Sequence, residues 1–84
     1  METKFSIKLM PRAIKDLEKL PKSDAQKIIA KIKTLEQGLT GNIKKLTNFT
    51  PEYRLRVGDY RVLFEIQEKD ILIYRIKHRK EAYL

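Results

Sequence analysis

Three features of this 84-residue chain predict a two-layer α+β fold, a helical hairpin packed on one face of a mainly antiparallel sheet. From Tyr53 to Ile66 the residues follow the period-two pattern of half-buried strands around a turn at Gly58-Asp59, and a second apolar run, Ile71 to Ile76, follows the polar turn Gln67 to Asp70. Between Pro11 and Leu39 apolar residues recur instead every three to four positions, as on one side of a helix. The length permits one modest core, so residues 1–84 form a single domain in which helices and sheet must cover each other.

In chain order the pattern reads β-α-α-β-β-β. Phe5 to Leu9 alternates and forms a first strand. Pro11 fits the first turn of a helix, where its missing N–H costs nothing; Ala13, Ile14, Leu17 and Leu20 supply the apolar stripe, and Pro21 closes the helix. Ser23-Asp24-Ala25-Gln26 has the form of a capping box that opens a second helix of about four turns. Its stripe is Ala25, Ile28, Ile29, Ile32, Leu35 and Leu39, and Gly38 and Gly41 suit its end. Asn42 to Pro51 is a loop with room for a short edge strand. Three strands in a meander follow, turning at Gly58-Asp59 and across Glu68 to Asp70, and a short tail closes the chain. On the first of these strands Leu55 and Val57 face the core and Arg54 and Arg56 face the other way, because successive side chains point to opposite sides. Val62, Phe64 and Ile66 continue the core face, and Arg61 falls on the arginine side.

Charge narrows the function. The formal net charge is +8 and the pI near 9.8, which favours a polyanionic partner, nucleic acid before membrane surface or acidic protein. Five of the six arginines (Arg54, Arg56, Arg61, Arg75, Arg79) lie after Tyr53, whereas lysine carries nearly all the positive charge before it. Arginine's planar fork suits phosphate oxygens, so the sheet face left bare by the helices is the candidate anion site. Like charges on neighbouring strands repel by about 0.2 to 1 kcal/mol per opposed pair, a cost that a merely solvated surface would avoid. With no cysteine, disulfides and thiol chemistry are excluded. One histidine and scattered carboxylates give no basis for a metal or other cofactor. No apolar run approaches a membrane span and no signal sequence is evident, so a cytoplasmic protein is expected. Tyr60 is read as a core residue before a base-stacking one. His78 lies among Lys77, Arg79 and Lys80, whose charges would favour the neutral imidazole; it serves equally as a strand-end residue or a base. Tyr83 is a packing anchor or a nucleic-acid contact.

The run Tyr53-Arg54-Leu55-Arg56-Val57-Gly58-Asp59-Tyr60-Arg61-Val62-Leu63-Phe64-Glu65-Ile66, followed by Ile76-Lys77-His78-Arg79-Lys80-Glu81-Ala82-Tyr83, resembles the RelE branch of the RelE/ParE toxin superfamily. The Phe-Ser-Ile-Lys opening and the Ala-Ile-Lys-Asp-Leu-Glu-Lys-Leu-Pro helix match as well, so the resemblance spans nearly the whole chain. It implies a toxin of a type II toxin–antitoxin pair that enters the ribosomal A site and cuts mRNA without metal, through 2′-hydroxyl attack on the adjacent phosphorus. It further implies a RelB-like antitoxin as partner, with DNA reached only through the antitoxin complex. Carried over by position, Arg61 and Arg79 would stabilise the transition-state phosphate and Tyr83 would stack on or orient a nucleotide. Arg54 and Arg56 would hold the mRNA backbone, assisted by Lys77, Lys80, Lys44 and Lys45. The best-known RelE-type sequences carry lysines at the positions of Arg54 and Arg56. Arginine stays protonated near neutrality, so neither acts as the base here and His78 becomes the stronger candidate, with Tyr83 behind it. Two other functions fit the same fold: a ParE-like DNA gyrase inhibitor, and an RNA-binding member without catalysis.

Overall fold

The computed structural model describes residues 4–39, 41–46 and 50–81. Strand β1 (Ser6–Leu9) leads into helix α1 (Pro11–Glu18) and helix α2 (Lys22–Thr34), which tightens into a 3-10 turn at Leu35–Gln37. Strands β2 (Ile43–Lys45), β3 (Tyr53–Val57), β4 (Tyr60–Gln67) and β5 (Asp70–His78) complete the chain. The sheet order is β1-β5-β4-β3-β2, with β1 parallel to β5 and every other pair antiparallel. The predicted two-layer α+β architecture holds, and the loop before Pro51 does contain an edge strand, β2.

Both hairpins use two-residue turns whose first central residue has positive φ, as the twist of paired strands favours: Gly58 at +58° and Glu68 at +55°. Glycine meets that need without strain; Glu68 meets it at a cost. Inside the sheet, Leu55, Val62, Phe64, Ile71, Ile73 and Ile76 form the core face, against Ala13 of α1, Ile28 and Ile32 of α2, and Leu35. The Phe64 ring stacks on Tyr53 at 5.5 Å between centroids. Ile73 and Ile76 share a face although three positions apart, because a bulge opposite Leu63/Phe64 inserts Tyr74 as an extra residue in β5.

The helices depart from expectation in detail. Ala13 is fully buried and Ile14 is 44% exposed, because the small side chain is the one that lets α1 approach β5 closely. On α2 the buried line is Ile28, Ile32 and Leu35, a one-sided row at four- and three-residue spacing. Ile29 and Leu39 lie outside it and are exposed. The capping box does not form. The Pro21 carbonyl accepts from the Ala25 amide, so α2 starts at Lys22 with no side-chain cap and Ser23 already lies within its first turn. Pro21 thus opens the second helix; α1 has already ended at Glu18. Among the described residues no helix is long and apolar enough to cross a membrane.

One side chain ties the layers at the sheet margin. β1 pairs with β5 only as far as Ile73, and among the described residues no strand covers the rest of that β5 edge. Asp16 of α1 takes over there. Its carboxylate accepts from the Ile76 backbone N–H at 2.9 Å and from Arg75 Nε and Nη2 at 2.8 and 3.2 Å. Burial alone pushes the Asp16 carboxyl up, but the hydrogen bonds from Arg75 and Ile76 and the charges of Arg75 and Arg12 outweigh it, and its pKa is lowered. Arg75 is correspondingly raised, first by its hydrogen bond to Asp16.

A candidate nucleic-acid interface on the open face of the sheet

Strand register assembles the cations. Arg56 of β3 pairs with Arg61 of β4, and Arg61 pairs with Lys77 of β5, so one positive residue from each of three neighbouring strands falls in a single row. The next row along contains Lys44 of β2, Arg54 of β3 and Leu63 of β4. Two steps along a strand separate the rows by about 7 Å, close to the spacing at which a stretched polynucleotide presents its phosphates. Alternation puts both rows on the face opposite the helices.

Arg61 is the fixed point of this arrangement. Only 8% of it is exposed, and its Nη1 donates to the carbonyls of Gly58 at 3.0 Å and Tyr60 at 2.9 Å. The guanidinium is therefore held against the β3–β4 turn with part of its donor fork still uncommitted. Burial lowers its pKa, and Arg56, Arg54 and Arg79 lower it further, which marks a concentration of positive charge around it. Arg79 is clamped to the same turn. Its backbone N–H donates to the Asp59 carbonyl at 2.7 Å, and its Nε lies 3.8 Å from the exposed Asp59 carboxylate. The turn residue Asp59 thus gathers the end of β5 beside Arg61, a role that sequence spacing could not reveal.

Other predicted site residues lie elsewhere. Arg75, a possible member of the arginine face, is spent on Asp16. His78 pairs in register with Tyr60, on the side of the sheet opposite Arg61 and Lys77. Its ring meets the Tyr60 ring edge-on at 5.7 Å, and its Nδ1 accepts from the Lys80 N–H at 3.3 Å. Both line a cleft of about 270 Å³ between the β3–β4 turn and α2, with Asp24 and Lys27 on its helix wall. Tyr60 is a helix-side residue: its hydroxyl donates to Asp24 at 3.1 Å, and burial first, then Asp24, raises its pKa. Lys44 extends the arginine face, whereas Lys45 turns to the other side, its Nζ 5.9 Å from the Tyr53 ring centre. Lys80 is exposed in the turn after β5. Tyr83 lies outside the described residues. Among the described residues no group of three or more histidine or acidic side chains is placed to hold a metal ion.

Comparison with known proteins supplies the family. A profile described as the ParE toxin of type II toxin–antitoxin systems, parDE, matches residues 7–83. A Methanocaldococcus jannaschii protein named RelE1 is 33% identical over 86 aligned positions, covering 95% of this chain and 96% of that protein. The chain belongs to the RelE/ParE toxin family. Among solved structures, a RelE–RelB complex from Pyrococcus horikoshii is similar with a TM-score of 0.77 and 28% identity, covering 94% of this chain and 99% of that one. A RelB–RelE antitoxin–toxin complex from Methanococcus jannaschii gives 0.74 and 29% over 89% and 93%. The RelE-like fold accounts for the layout of two helices packed against a five-stranded mixed sheet.

Proposed function

We propose that this RelE-like toxin is a ribosome-dependent endoribonuclease that cuts mRNA in the A site and is held inactive by a RelB-like antitoxin. The observation that carries this reading is the Arg56–Arg61–Lys77 row, with Arg79 clamped beside it. Attack of a 2′-hydroxyl on the adjacent phosphorus gives a 2′,3′-cyclic phosphate and a free 5′-hydroxyl, and negative charge builds on the phosphorane-like transition state. Preorganised cations on a rigid sheet stabilise that charge without reorganising at the moment of reaction. Arg61 and Arg79 take this part. Arg54, Arg56, Lys77 and Lys44 hold the backbone on either side, with Lys45 and Lys80 at the margins, and Tyr83 orients a nucleotide. His78 is the proton acceptor in this scheme. Because its ring lies on the helix side, the 2′-hydroxyl must approach over the end of β5 rather than across the open face.

The test is primer extension on a defined mRNA with purified ribosomes bearing an empty A site, with parent and Arg61→Ala proteins, and a gyrase supercoiling assay in parallel. Ribosome-dependent cuts that vanish in Arg61→Ala are the expected result. The match to the family described as ParE toxin favours a second reading, gyrase inhibition. Intact mRNA together with blocked supercoiling would establish it, and silence in both assays would leave a cationic binding protein without catalysis.

A further inference from the structure

The helix-side cleft that His78 lines is built unlike the cationic face. Asp24 and Lys27 of α2 form one wall, and Val57, Asp59 and Tyr60 of the β3–β4 hairpin form another. Two carboxylates face one ammonium there, so a phosphate gains nothing by entering, whereas the open face beyond the turn is lined with arginine. At about 270 Å³ the space falls just under the roughly 300–1,000 Å³ of pockets that take drug-sized ligands, which suits a single flat ring system. Val57 and the Tyr60 ring give it apolar walls. Asp24 Oδ2 accepts from the Tyr60 hydroxyl at 3.1 Å, while Oδ1 has no hydrogen bond among the described residues and remains an acceptor. Lys27, three residues along the helix, supplies a donor beside it.

We propose that this cleft seats the base of the nucleotide on the 5′ side of the cut, and that Asp24 makes it prefer a base with an exocyclic amine: adenine, cytosine or guanine over uracil. The inference rests on the nuclease reading, in which His78 takes the proton of that nucleotide's 2′-hydroxyl. The ribose carbon bearing the 2′-hydroxyl is bonded to the carbon bearing the base, so a ribose poised at His78 delivers its base to the cleft that His78 lines. Its 3′-phosphate, the one attacked, then falls toward Arg79, whose Nε is 3.8 Å from the Asp59 carboxylate on the shared turn. Asp24 Oδ1 accepts from the amine, and Lys27 donates to a neighbouring ring nitrogen or carbonyl. Uracil has no amine. Its one ring N–H stands between two carbonyl oxygens, and a carboxylate that reaches it must lie against at least one of them. Asp24 is only partly buried, so the preference is about tenfold rather than the far larger ratio of a sealed polar pocket.

The probes are the four nucleoside 3′-monophosphates, each carrying one base and the phosphate that follows it, titrated into the free protein and read by amide chemical shifts. Adenosine, cytidine and guanosine 3′-monophosphates are expected to bind about tenfold more tightly than uridine 3′-monophosphate. Asp24→Asn, whose amide offers a donor as well as an acceptor, should bring uridine 3′-monophosphate level with the others. Tyr60→Phe keeps the carboxylate and removes only its hydrogen bond from Tyr60, so the preference should survive. Circular dichroism checks that both variants are folded. In primer extension with ribosomes, Asp24→Asn should raise the share of cuts that follow a uridine about tenfold. Equal or absent binding of the four nucleotides by the parent, or a preference that Asp24→Asn leaves intact, overturns the proposal. So does a preference lost equally in Tyr60→Phe, which would make Asp24 a support for that ring rather than a contact to the base. The titrations need no catalysis: cleavage without the base preference would discard the base site alone, and the preference without cleavage would discard the nuclease reading alone.

Discussion

Asp16 should contribute more to stability than its place near the end of a short surface helix suggests. Asp16→Ala removes two hydrogen bonds from Arg75 and the acceptor for the Ile76 amide, and leaves a guanidinium that is only 27% exposed without its counter-ion. Hydrogen bonds to charged groups contribute roughly 1.5 to 3 kcal/mol each, but they are not additive, and returning a carboxylate that is 15% exposed to water recovers part of its desolvation cost. A net loss of about 3 kcal/mol is expected for Asp16→Ala, and about 2 kcal/mol for Asp16→Asn, which keeps an acceptor for Ile76. For a domain of this size that lowers Tm by roughly 12–24 °C and 8–16 °C respectively. The measurement is thermal unfolding at neutral pH, followed by urea midpoints down an acid series. A carboxyl with a depressed folded pKa stabilises fully above its unfolded value near 3.9, and that stabilisation disappears as pH falls through the folded value. The gap between parent and Asp16→Asn should therefore narrow in acid. A parent-like Tm for Asp16→Ala, or a gap that stays constant at low pH, would refute the edge-capping argument.

Arg61→Lys should lose cleavage by about a hundredfold or more despite keeping the charge, because an ammonium cannot donate to the Gly58 and Tyr60 carbonyls and still present a fork to phosphate; primer extension with ribosomes measures this. Ile28→Ala should cost about 2–5 kcal/mol, while the adjacent Ile29→Lys stays within about 0.5 kcal/mol of the parent, a contrast that denaturant titration resolves. His78→Gln should lower the cleavage rate about a hundredfold while leaving oligonucleotide affinity unchanged; a parent-like rate would remove His78 from the chemistry.

Period and charge carry much of this fold. Leu55 and Val57 alternate with Arg54 and Arg56, so the two faces of β3 are legible in the residue order itself, whereas the apolar run Val62-Leu63-Phe64 blurs those of β4. The helices are less so. Ile14 and Ile29 belong to apolar stripes that are wider than the line of actual contact, and which member is buried depends on how each helix leans on the sheet. The site is legible as a set of cations but not as a geometry. Lys77, His78 and Arg79 are consecutive, yet the pleat sends Lys77 and His78 to opposite faces and Asp59 draws Arg79 back to the turn. The role of Asp16 is invisible to any local pattern, since its partners lie 59 and 60 positions away.

The position of β5 decides when the sheet and its cationic row can form. It is bonded on one side by β4 and on the other by β1, where Ser6 meets Asp70. A nascent chain that has emerged only through β4 has neither a neighbour for its first strand nor the ladder that fixes Arg61 opposite Lys77. Fold and cationic row are therefore completed together, when β5 docks between β1 and β4.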